Sequence, residues 1–181
     1  MADPNVLYLA HYTVTVRDIR VAEAFYEHVI GADVIRRAWN PDEPDPSGTP
    51  EERTKQIAAR DGMGRRFSQF QIGTVVFDCF EEPTGWWPDR RSLFQHPHYA
   101  FEVKSLEEAC SKLDKHNIPY GWSTFAGPGV GVYFSDPDGN HLEYIISRGY
   151  PKDGIKLGDP DWRQLQYDFD PKTLQATRVQ M

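Results

Sequence analysis

Two histidines stand at the same place in a repeated phrase. His-Tyr-Thr-Val-Thr-Val-Arg-Asp-Ile runs from His11, and His-Tyr-Ala-Phe-Glu-Val-Lys-Ser-Leu begins 87 residues later at His98. Ala22 and Ala109 keep the same offset. A histidine repeated at the mouth of a strand predicts two half-sites facing one another across a pseudo-twofold axis. Matching the last strand of each half sets Phe77-Asp78-Cys79-Phe80 against Leu142-Glu143-Tyr144-Ile145, which makes Asp78 the mate of Glu143. If the strands curve into a cup, His11, His98 and Glu143 converge. Two imidazoles and a carboxylate then bind a divalent ion and leave several coordination positions open, the arrangement of non-haem Fe(II) oxygenases. Open positions let substrate reach the ion directly.

The elements that must carry these residues follow from the pattern. A Val, Thr and Tyr-rich strand spans 6–16. Asp18 is placed to cap a helix whose apolar positions Ile19, Ala22, Phe25, Tyr26 and Val29 recur at helical spacing until Gly31 ends it. Strands follow at 32–39, 66–71 and 73–82. Between them, 40–66 is Pro-rich and charged, with a short helix at 51–60, and reads as an insertion or lid. The second half repeats the order: a strand from His98, a helix over 105–116, and strands near 120–125, 131–135 and 142–147. His11 to Asp78 spans 67 residues and His98 to Glu143 spans 45, and the 22 extra residues fall in the Pro-rich stretch. The expected fold is α+β: two βαβββ modules, about 6–83 and 96–148, forming one curved, cup-like barrel within a domain over 1–149. Residues 150–181 read as a polar C-terminal extension with Trp162, Leu165, Tyr167 and Phe169 irregularly spaced, able to pack on the barrel or on a partner.

Composition removes several function classes. A net charge of −7 with pI near 5.3 does not suit nucleic acid, which needs a basic surface. No apolar run approaches the roughly 20 residues of a membrane span, and the Met-Ala-Asp-Pro start has no secretory pattern, so a cytoplasmic location is expected. Cys79 and Cys110 have no metal-binding spacing and read as free, buried thiols.

The stretch from Val132 to Tyr144, with its Asp136-Pro137-Asp138-Gly139-Asn140 turn followed by Glu143, resembles the signature of the vicinal oxygen chelate superfamily of glyoxalases, bleomycin-resistance proteins and extradiol dioxygenases. The segment from His11 to Gly31 is similar to that family's first module. The resemblance implies His11, His98 and Glu143 as metal ligands, with Fe(II) the first choice and Mn, Zn or Ni as alternatives. It also implies a homodimer acting on a small molecule. Four-ligand relatives carry Glu or Gln where this chain has Asp78, one methylene shorter.

Three ligands resemble the extradiol dioxygenases, which cleave oxygen-chelating aromatic substrates. Those enzymes carry an acid/base histidine in the region that here reads Gly127-Pro128-Gly129-Val130-Gly131, which departs from the catechol-cleaving pattern; His141, on the Glu143 face, is read as a substitute acid/base or as a residue that orients the ligand. Asp78 is read as a ligand, a base, a partner of a ligand or a satisfied buried acid. The alternatives are a glyoxalase- or epimerase-like lyase or isomerase, and a metal-free small-molecule binder.

The remaining candidates receive plainer readings. Tyr12 and Tyr99 face away from the ligands and pack. One of Tyr133 and Phe134 faces the cup. His28 and His116 suit helix C-termini. Arg65-Arg66 and Arg90-Arg91 read as solvated charges, His96 as a loop residue, and Trp86-Trp87 as a closing flap or an interface anchor.

Overall fold

The computed structural model describes residues 11–42, 44, 47–61, 66–82, 98–123, 130–146 and 166–179. The start of the first strand, Trp86-Trp87, Arg65, Arg90-Arg91 and His96 lie outside them. The chain divides into two units, 1–86 and 87–181.

In the first unit, β1 (His11–Val16) leads into α1 (Ile19–Phe25). Asp18, in extended conformation, accepts the Arg20 backbone N–H at 3.0 Å and caps the helix. The helix widens into a π-helical turn, Tyr26–Ile30, and stops at Gly31, whose φ of 84° is left-handed. That conformation favours a residue without a Cβ. Then come β2 (Asp33–Arg37), α2 (Pro50–Asp61), β3 (Phe67–Ile72) and β4 (Val75–Glu81).

The helix in the insertion starts as a capping box with Pro50 at its first position. The Thr49 hydroxyl accepts the Glu52 N–H at 3.3 Å, and the Glu52 carboxylate accepts the Thr49 N–H at 2.7 Å. Arg53 ties this helix back to Asp18 at 3.1 Å and to Glu81 at 3.6 Å. The described part of the insertion is therefore anchored to the module beneath it.

The second unit runs β5 (His98–Glu102), α3 (Leu106–Lys115), β6 (Gly121–Ser123), β7 (Val130–Ser135) and β8 (His141–Ile146). Ser105 caps α3 by accepting the Glu108 N–H at 3.2 Å. The two sheets are ordered β1-β4-β3-β2 and β5-β8-β7-β6, the same topology twice. In each, the first strand is parallel to the last. They are separate four-stranded sheets rather than a closed barrel.

Strand alternation sorts each sheet into a helix-covered face and an open face. In the first, Val14, Val16, Phe70, Phe77 and Cys79 are buried together with Ile19, Ala22, Phe25 and Tyr26 of the helix. Tyr12 stacks on Phe77 with centroids 5.2 Å apart, which leaves His11 and Asp78 on the opposite face. In the second, Val132, Phe134, Leu142 and Tyr144 are buried with Leu106, Ala109, Cys110 and Leu113. Ala22 and Ala109, the repeated alanines, are both buried. Cys79 and Cys110 are free and buried.

One sequence expectation gains detail and another changes. The C-terminal extension contains a hairpin, β9 (Tyr167–Asp170) and β10 (Gln175–Arg178), that packs on the second module. Tyr167 donates its hydroxyl to the Ser135 carbonyl at 2.6 Å, and the Ala176 N–H reaches the His116 carbonyl at 2.9 Å. His116, buried at the end of α3, meets the Leu174 carbonyl through Nδ1 at 2.8 Å. Arg66, expected to be solvated, is buried and grips Glu81 with both Nε and Nη2, the latter at 2.8 Å. The reason is register: the Glu81 N–H bonds to the Arg66 carbonyl, which aligns the two residues across the β3–β4 hairpin. Burial pushes the Glu81 carboxyl up and the Arg66 hydrogen bond pulls it back.

Candidate functional site

The strand registers make the sequence match of the two halves a structural one. Asp78 pairs with Thr13, two residues after His11, and Glu143 pairs with Ala100, two residues after His98. Each module therefore places one histidine and one carboxylate on its open face at equivalent positions.

In the second module the pair is closed. His98 Nε2 lies 3.0 Å from Glu143 Oε2, with Glu143 almost fully buried and the His98 ring 37% exposed. Tyr133, the register partner of Glu143 on β7, hydrogen-bonds to that carboxylate and sets its ring edge-on to His98 at 5.8 Å. Burial, then the Glu143 hydrogen bond and charge, push the Tyr133 phenol well above the usual tyrosine range. It stays protonated and donates. Tyr133, not Phe134, is thus the member of that pair on the open face.

The Asp136 turn fixes the entry to β8. Its Oδ1 accepts the N–H groups of Asp138 at 3.0 Å and Asn140 at 2.8 Å, while Oδ2 accepts the Asn140 side-chain amide at 2.7 Å. Gly139 turns the chain with φ 87°. The Asp136-Pro137-Asp138-Gly139-Asn140 motif is therefore a hairpin clamp that delivers His141 and Glu143 to one face. His141 is largely buried and pairs in register with His98 and Ser135.

In the first module the pair is looser. His11 Nε2 is 3.8 Å from Asp78 Oδ2, and the His11 ring is 54% exposed. Asp78 Oδ1 accepts the Gln69 amide at 2.8 Å. Gln69 is the register partner of Asp78, as Tyr133 is of Glu143. Sequence reading did not assign these two carboxylate partners. Their signal was available only once the hairpin registers were known.

Imidazole nitrogen and carboxylate oxygen are donors that suit Mn, Fe, Ni and Zn ions. The open faces thus carry a donor set that fits a divalent metal. Among the described residues, no group of three or more His, Cys, Asp or Glu is gathered closely enough to hold an ion. Each module by itself supplies a pair.

Comparison with known proteins assigns the family. The model of the Glyoxalase/Bleomycin resistance protein/Dioxygenase superfamily matches residues 8–144, and the chain belongs to that superfamily. Among solved structures, a glyoxalase/dioxygenase from Nostoc punctiforme matches with a TM-score of 0.55 at 22% identity, covering 82% of this chain and 97% of that one. A genomically encoded fosfomycin resistance protein, FosX, from Listeria monocytogenes, solved with Mn(II) and sulfate, gives 0.54 at 18% identity and covers 80% and 94%. A glyoxalase family protein from Enterococcus faecalis gives 0.55 at 20% identity and covers 76% and 96%. No curated protein matches the chain significantly. No helix among the described residues is long and apolar enough to cross a membrane.

Proposed function

We propose that the chain is a metal-dependent enzyme in which His11, His98 and Glu143 bind one divalent ion, and that it acts as an Fe(II) extradiol-type dioxygenase on a small, oxygen-chelating aromatic substrate. The observation that carries this reading is the His98–Glu143 pair at 3.0 Å, repeated in register by His11 and Asp78. The Mn(II) in the FosX neighbour supports a divalent ion in this fold. Bound there, the ion would supply Lewis-acid polarisation and a docking point for substrate oxygen.

The chain's own residues do the rest. Tyr133 holds the Glu143 carboxylate by donating its phenol hydrogen. Gln69 occupies one oxygen of Asp78, which favours three protein ligands over four. His141, on the Glu143 face, would take or return a substrate proton.

A lyase or isomerase is the second reading, and the approach of Asp78 to His11 at 3.8 Å favours it. There Asp78 would serve as a fourth ligand or as the base. Metal analysis of protein purified without added metal, followed by anaerobic Fe(II) loading and oxygen uptake with a catechol panel, separates the two. Oxygen uptake with ring cleavage supports the dioxygenase. Tight Zn or Ni binding that is lost in Asp78→Asn, without oxygen uptake, supports the isomerase. Absence of metal binding sinks both.

A further inference from the structure

Gly131 sits on β7 in ordinary strand conformation, since its φ is not among the positive values of the glycines at 31, 48, 73 and 139. Its backbone would accept alanine. Its surroundings would not: a Cβ there would lie 2.3 Å from Glu143 Oε1, 3.2 Å from Glu143 Cδ and 2.9 Å from Tyr133 Cε2. Those atoms belong to side chains, and the nearest is the free end of a flexible one. Adding a methyl group therefore displaces the carboxylate rather than the sheet.

The first module fills the equivalent place. Gly131 precedes Tyr133 by two residues on its strand, as Phe67 precedes Gln69. Phe67 is buried and stacks on Phe80 with centroids 5.2 Å apart and planes 28° apart. Where the second module has a glycine diagonal in register to a glutamate, the first has a buried aromatic ring diagonal in register to a shorter aspartate.

We infer that Gly131 is a positioning residue: the space at its α-carbon seats the Glu143 carboxylate against His98 and Tyr133 and makes the second module the stronger ligand-bearing half. The inference rests on the metal reading above, and the test keeps the two apart. Mn(II) binding is titrated by electron paramagnetic resonance for the wild type and Gly131→Ala, and thermal unfolding is recorded for both without metal. The inference expects Mn(II) affinity to fall on the order of tenfold or more in Gly131→Ala, the scale seen for residues that support a metal ligand. The metal-free midpoint should stay within about 3 °C of the wild type. Equal Mn(II) affinity in the two proteins overturns the inference while leaving the metal reading intact. A larger loss of the metal-free midpoint, or failure to fold, also overturns it by assigning Gly131 to the fold. A wild type that binds no Mn(II), Fe(II) or Zn(II) overturns the metal reading and this inference with it.

Discussion

Glu143 and Asp78 occupy equivalent positions and differ by one methylene, and their partners differ with them. Glu143 receives a phenol and lies 3.0 Å from an imidazole, whereas Asp78 receives an amide and stands 3.8 Å from a more exposed one. If three residues hold the ion, Glu143→Gln costs more Mn(II) affinity than the roughly 10- to 100-fold typical of supporting residues. Asp78→Asn, measured in the same titration, should cost less than about tenfold. The reverse order would move the ligand role to Asp78. The histidine repeat was legible because the first strand and helix of each half keep one offset of 87 residues, and the Asp78–Glu143 match because the last strand of each half could be aligned across the insertion. Gln69, Tyr133 and the space at Gly131 were not, because their importance depends on which residue lies opposite across a hairpin.

At the scale of elements, the first helix announced itself through its caps, while the caps of the other two emerged with the structure. Asp18, Thr49 and Ser105 each begin a helix, and Gly31 ends one. The C-terminal hairpin was harder to read because an irregular turn hides its short strands. Tyr167 and Phe169, two residues apart and both buried, were the usable signal. Arg66 was misread because a pair of arginines before a strand gives no hint of a buried carboxylate on the next one. Arg66→Ala leaves Glu81 buried without its principal partner and should lower stability by about 3–5 kcal/mol in urea unfolding. A loss below about 1 kcal/mol would mean that Arg53 or water neutralises Glu81 unaided.

Across the whole molecule, the duplicated order of elements was readable from sequence, since each half shows the same alternation and punctuation, while the order of strands within each sheet was not. The two βαβββ modules read from the sequence are present as two open four-stranded sheets, each with its first and second strands at the edges and neither closed into a barrel. The second half gives a further expectation from its aromatic load. Burial is the first cause raising Tyr99, Tyr120, Tyr133 and Tyr144 above the ordinary tyrosine value. A phenol raised in the folded state adds stability that is fully present below an unfolded value near 10, and that stability is lost as pH climbs through the folded values. Tyrosinate absorbance near 295 nm should therefore lag behind that of the urea-unfolded chain above about pH 10 and rise cooperatively with alkaline unfolding. Coincident titration curves would refute that burial.

The central claim is that one ion draws a histidine from each module. Mn(II) stoichiometry and affinity, measured for wild type, His11→Ala and His98→Ala, test it most directly. The account predicts one ion per chain and a loss of affinity of about 100-fold or more in either variant, beyond what a supporting residue would cost. Wild-type affinity in His11→Ala, or two independent ions per chain, would contradict it.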